Sequence, residues 1–185
     1  MSKHPSVTLA GALAFVLAAS CHTPSTSRAE VRLPKVFGSH MVLQREKPII
    51  IWGWAAPGEE VTAKLGAETR TAQPNERGEW QVRFPALTGG GPLKLAVAGA
   101  NRIEFEDILV GEVWLCSGQS NMEMGIGAAK DGQAEIAAAD HPEIRLLKVE
   151  KSWTPLPQDD FKGAWAVCSP KTVAEGGWSG FSAAG

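Results

Sequence analysis

Turn-forming residues recur through residues 30–107 at intervals that leave no room for long helices. Pro57-Gly58, Pro74-Asn75, Arg77-Gly78 and Gly89-Gly90-Gly91 cut the segment into brief apolar or alternating runs. Glycine and proline punctuate a chain because one permits positive φ and the other fixes φ and lacks an N–H. The runs at 41–44, 49–54, 60–65, 68–73, 79–84, 93–97 and 102–106 are expected to be strands. Short strands with turns at this spacing predict a β-sandwich of immunoglobulin-like character. No catalytic cluster lies in this part. Trp52, Trp54 and Trp80 have faces suited to a sugar's C–H surface. Period two puts Trp52 and Trp54 on one strand face, however, and filling of the sandwich core is the stronger expectation.

Residues 108–110 and 113–116 then form an apolar run that meets a sharp Ser117-Gly118 break, followed by Gln119, Ser120 and Asn121. This pattern reads as a strand buried on both faces and ending in a tight turn. Ser120 would stand at the strand's C-terminal edge, where ligands collect in open α/β sheets. A following helical turn would aim backbone N–H groups at developing negative charge. Ser120 is therefore the candidate nucleophile. Its alternative role is to cap a short helix, and the two roles are compatible.

The logic is that of the Gly-x-Ser-x-Gly elbow, but the pattern is Gly118-Gln119-Ser120-Asn121-Met122. This pentapeptide resembles the first sequence block of the SGNH hydrolase superfamily, in the version used by sialate O-acetylesterases and related bacterial carbohydrate acetylesterases. Gly111-Glu112-Val113-Trp114-Leu115-Cys116 ahead of it and Met122-Glu123-Met124 behind it strengthen the match, as does the opening from Leu33 to Arg45 with its His40-Met41-Val42-Leu43-Gln44. The resemblance covers residues 31–182. It implies acyl transfer through Ser120, with Gln119 and Asn121 shaping the turn and Asn121 the weaker candidate for touching substrate. It also implies that the base and its orienting acid, an Asp and a His about three positions apart, come from a later segment. Nothing here matches that pair, so the chain as given is expected to be an N-terminal portion without competent esterase activity.

The remaining histidines do not supply the base. His4 and His22 lie in or beside the leader, and His40 is expected to be structural. His141, in Asp140-His141-Pro142, reads as a helix-ending turn. Around it, residues 133–139 are expected to form a helix and residues 144–149 a strand, so that strand, helix and strand make a right-handed parallel crossover. Residues 152–162 read as a surface loop. Residues 165–170 resemble a segment that the family carries before its next helix, whose first turn would be 181–184.

At the other end, Lys3 and His4 precede an uncharged apolar stretch, residues 7–19, too short to cross a bilayer. Residues 1–29 are expected to be a signal peptide, and the protein to be exported to the periplasm or beyond. Cleavage after Ala29 is one expectation. Lipid attachment at Cys21 is the other, and only then would the protein meet a membrane. Removing residues 1–29 takes away Lys3 and Arg28 and no acid, leaving 16 basic against 20 acidic residues. No basic stripe suggests nucleic acid. Cys116 and Cys168 are expected to be buried free thiols. No Cys/His cluster has zinc-like spacing and no glycine loop resembles a phosphate cradle, so neither metal nor cofactor is expected.

The sequence thus predicts an immunoglobulin-like β-sandwich over 30–107 and the incomplete start of an α/β SGNH-hydrolase domain over 108–185. The expected activity is removal of O-acetyl groups from sialic acid or another acetylated sugar. Two alternatives stay open: a non-catalytic sugar-binding or packing β-module, and an acetylesterase acting on plant cell-wall polysaccharide.

Overall fold

The computed structural model describes residues 30–180 and Ser182. The leader, its cleavage sites and Cys21 lie outside the described residues, as does all of the 181–184 turn except Ser182. No helix among the described residues is long and apolar enough to cross a membrane.

Seven strands come first: β1 (Val42–Gln44), β2 (Ile49–Trp54), β3 (Val61–Leu65), β4 (Glu68–Ala72), β5 (Glu79–Phe84), β6 (Gly90–Ala98) and β7 (Arg102–Gly111). Five form one sheet in the order β1-β7-β6-β3-β4, while β2 and β5 pair separately and antiparallel. Only β1 lies parallel to its neighbour β7 in that sheet. The burial pattern explains the pairing. In β5, Trp80, Val82 and Phe84 are buried while Glu79, Gln81 and Arg83 are exposed. That period of two gives each strand one face to hide. The hidden faces of both sheets meet in one core holding Ile51, Val61, Ala63, Leu95, Val97 and Ile108. Gly53 sits where a Cβ would collide with the Arg32 carbonyl oxygen, because residue 32 bridges to Trp54 alongside it.

Burial of a large aliphatic side chain stabilises by roughly 1.5–3 kcal/mol, and truncation adds the cost of a cavity. Ile51 and Leu95 are fully buried, one in each sheet. Ile51→Ala and Leu95→Ala are each expected to lower stability by about 2–5 kcal/mol, read from urea unfolding. A cost below ~1 kcal/mol at both would show that the two sheets do not share a packed interior.

The tryptophans divide. Trp80 is buried in the core as expected, but Trp52 and Trp54 lie half-exposed on the opposite face of β2 from Ile49, Ile51 and Gly53. They share a face as expected, but it is the outer face of β2, from which Trp52 packs against the core at its margin; the three isoleucines at 49–51 leave the inward phase ambiguous. Strand ends differ as well. β6 starts inside the glycine run at Gly90, and β7 continues past residue 106 to Gly111, taking Ile108 and Val110 into the core.

The second half departs further. Residues 113–116 form no strand; Trp114 is 82% exposed and Leu115 93%. A strand needs a partner, and β1, which pairs with the end of β7, stops at Gln44 opposite Gly111. There side chains replace the ladder: Val113 N–H donates to Gln44 Oε1 (3.0 Å), and Arg45 Nε donates to Glu112 Oε1 (2.6 Å). With residues 113–116 out of a sheet, Cys116 is an exposed free thiol; Cys168 is a buried one, as expected.

Helix α1 (Gly132–Ala138) lies where a helix was expected. His141 opens a strand and is not part of a turn: β8 (His141–Leu147) pairs antiparallel with β9 (Trp165–Cys168). No parallel crossover forms, because its first strand is missing and the chain returns from β8 through the loop around residues 152–162. Helix α2 (Pro170–Glu175) follows, started by Pro170 at its first position and by a capping box between Ser169 and Thr172. A small second core joins Ala139, Cys168 and Val173 to Ile136, Leu146 and Trp178.

Candidate functional site

Gln119, Ser120 and Asn121 are brought together by a short 3-10 turn, Ser120–Glu123, closed by Met122 N–H to Gln119 C=O (2.9 Å) and Met124 N–H to Asn121 C=O (3.3 Å). Gln119, with φ −115° and ψ −130°, precedes the turn and makes no side-chain capping bond. Ser120 is the turn's first residue and not its cap, so the capping alternative is set aside. All three side chains are exposed, and none has a side-chain hydrogen bond among the described residues. The turn that the sequence requires after Gly118 is present; the strand leading into it is not.

What fixes the turn comes from farther along the chain. Residue 125 bridges to Ser179, Ile126 N–H donates to Trp178 C=O (3.0 Å), and Gly180 N–H donates to Met124 C=O (2.8 Å). Ser179 is buried, and its hydroxyl meets that of Ser182 at 2.8 Å. Lys151 pairs with Glu123 at 2.5 Å.

No histidine among the described residues hydrogen-bonds Ser120. His40 Nδ1 lies 2.7 Å from Asp107 Oδ2, and Arg145 grips the same carboxylate with both terminal nitrogens, at 2.5 and 3.1 Å. His40 and Asp107 both adopt left-handed backbone, φ 69° and 55°, a region where His and Asp are enriched. The Arg145 hydrogen bonds, then those of His40, hold the Asp107 carboxyl down at about 2. This is the ion cluster that sequence reasoning missed. Its members lie 67 and 38 residues apart, with no local spacing to betray them. It joins the middle of β7 to β8.

A cavity of about 190 Å³ lies between α1, β8 and α2, lined by Ile126, Glu135, His141, Cys168, Val173 and Trp178. Burial raises the Cys168 thiol above its ordinary value. Among the described residues no group of His, Cys, Asp and Glu could hold a metal ion.

No family model matches the chain. Sialate O-acetylesterase from Homo sapiens is 34% identical over 131 residues, covering 64% of this chain and 25% of the human protein. The Rattus norvegicus sialate O-acetylesterase is 28% identical over 164 residues, covering 82% of this chain and 30% of its own length. A crystal structure of a carbohydrate acetylesterase from Xanthomonas citri superposes with a TM-score of 0.75 at 37% identity, covering 78% of this chain and 34% of that one. The chain spans about a quarter to a third of the relatives it matches. These matches run through most of the described residues and not only the motif around Ser120, and over that length the chain is similar to sialate O-acetylesterases.

Proposed function

We propose that this chain is part of an esterase that removes O-acetyl groups from a sugar, with Ser120 as nucleophile. The observation carrying the reading is the similarity to sialate O-acetylesterases, combined with the exposed turn that presents an unencumbered Ser120 hydroxyl. In that reaction Ser120 Oγ attacks the acetyl carbonyl carbon and gives its proton to a base. The tetrahedral intermediate expels the sugar oxygen, which takes the proton, and water then releases acetate from acetyl-Ser120. Ser120 N–H, at the start of a turn where backbone donors have no partner within the turn, contributes to stabilising the oxyanion. Gln119 holds the turn and Asn121 contacts the substrate. The base belongs to a downstream Asp and His pair of the longer enzyme, so the 185-residue chain alone is expected to leave acetyl esters untouched. Turnover by this chain that disappears in Ser120→Ala would overturn that last point.

The same reading makes the seven strands an immunoglobulin-like sandwich and the rest the opening of an SGNH-type α/β domain. The sequence sets the division at 107/108; β7, which runs unbroken to Gly111, supports moving it there. A panel of acetylated sialic acids and acetylated plant polysaccharides separates the two substrate classes.

Export is part of the proposal. Mass spectrometry of the protein recovered from the periplasm, medium or membranes is expected to find an N-terminus at Glu30 or at lipid-modified Cys21. Exported material still beginning at Met1 would rule out both.

A further inference from the structure

We infer that the groove between β2 and the loop at 152–162 is a subsite for a neutral pyranose ring of the glycan, separate from Ser120. It rests on the acetylated-sugar reading for the class of ligand and on the groove's own chemistry for the rest. The groove encloses about 490 Å³, with Trp52, Val36 and Pro34 on one side and Gln158, Asp159 and Phe161 on the other. Ligand sites of this kind are concave and mostly apolar, with few convergent polar groups. Two aromatic rings and a proline supply apolar faces of the sort that pack on sugar C–H surfaces.

The walls are braced. Trp52 is held edge-on by Trp54 at 5.4 Å and by Phe37 at 6.3 Å. The loop is pinned to the β-domain where Asp160 Oδ1 accepts from Lys35 N–H (2.7 Å), and beyond it Trp165 Nε1–H donates to Val36 C=O (2.8 Å). Gln158 spends its amide N–H groups on its own loop, on Thr154 Oγ1, Leu156 C=O and Pro157 C=O, each at 3.1 Å. Its carbonyl oxygen is left as an acceptor. Asp159 has no hydrogen-bond partner among the described residues. Trp153, next in the chain to Ser152 at the groove's rim, is 99% exposed.

Charge selects the occupant. Among the described residues, the only ionisable side chains lining the groove are Asp159 and Asp160, both acids. Sugar hydroxyls donate well to carboxylates, whereas the carboxylate of a sialic acid would meet like charge with no cation lining the groove to offset it. A neutral hexose or pentose fits; an acidic sugar does not.

Isothermal titration of the 185-residue chain with xylohexaose, cellohexaose and an α2,8-linked sialic acid hexamer tests this. At least one neutral oligosaccharide is expected to bind, and the sialic acid hexamer at least about tenfold more weakly. Asp159→Ala and Phe161→Ala are expected to weaken neutral binding by about tenfold or more without lowering Tm. Both act at the loop, so they keep the test valid even where Trp52→Ala disturbs packing. Absence of neutral binding, binding of the sialic acid hexamer at equal strength, or unchanged binding in both loop variants would overturn the subsite. These probes carry no O-acetyl ester and Ser120 does not line the groove. Binding therefore survives a failure of the esterase reading, and an active longer enzyme whose chain binds none of them defeats the subsite alone.

Discussion

Ser120→Ala is expected to lower acetyl-ester turnover on the order of 10⁴-fold or more in an active protein that contains this chain. Loss of a nucleophile leaves only what binding and oxyanion donors supply. Stability should barely register the change. The side chain is exposed, caps nothing and has no side-chain hydrogen bond among the described residues, so the cost is within about 0.5 kcal/mol. That contrast between rate and stability is the diagnostic result. Single-turnover kinetics and a thermal melt on the same preparation measure both, and retained turnover would move the nucleophile elsewhere. Asn121→Ala should act mainly on KM, as expected for a residue that touches substrate without entering the bond exchange.

The second large effect belongs to Asp107. Arg145 is the buried partner, its side chain 6% exposed, whereas Asp107 is 37% exposed. Removing the carboxylate strands a guanidinium whose Nε already lacks a partner. Removing the arginine leaves an anion that water can reach. The asymmetry predicts that Asp107→Asn costs more, about 2–3 kcal/mol, and Arg145→Met less, about 1–2 kcal/mol. Asparagine is the cleaner probe because it tolerates the left-handed backbone at this position. Urea unfolding reads the totals, and proteolysis should nick the 141–168 hairpin first in either variant.

Acid should reproduce part of the loss. The Asp107 pKa is depressed in the folded state, from an ordinary 3.8 to about 2, so its contribution is complete above about pH 4 and disappears as pH falls towards 2. The carboxylate is partly solvated, which mutes the size of this contribution. In Asp107→Asn the acid limb of the stability profile should flatten between those values. An unchanged limb would assign the acid sensitivity to other carboxylates.

Strands were legible in the sequence where alternation had a core to point at. β5 reads Glu-Trp-Gln-Val-Arg-Phe and folds as it reads, buried at every second residue. The isoleucine run of β2 carries no such phase, so the sequence does not show that Trp52 and Trp54 take the outer face, with Trp52 only partly packed against the core. Apolar content alone misled at 113–116, because a strand is a property of a pair and the sequence of one partner does not reveal whether the other is at hand. The turn at Ser120 was legible for a different reason. The turn needs only local residues, so Gly118 and the polar run after it sufficed, while the threads tying that turn to Trp178, Ser179 and Gly180 left no local mark. The grip of Arg145 on Asp107 was illegible altogether, being an agreement between three distant positions.

The ribbon at 113–116 also governs how the isolated chain behaves in a tube. Valine, tryptophan and leucine stand in water there with their peptide groups outside any ladder, a template on which a second molecule can add edge to edge. Exposed apolar side chains such as these, and not the interior, govern the colloidal stability of the 185-residue chain. Light scattering should climb with protein concentration well below the melting temperature, and a charged substitution such as Leu115→Lys should suppress it while leaving the melt where it was.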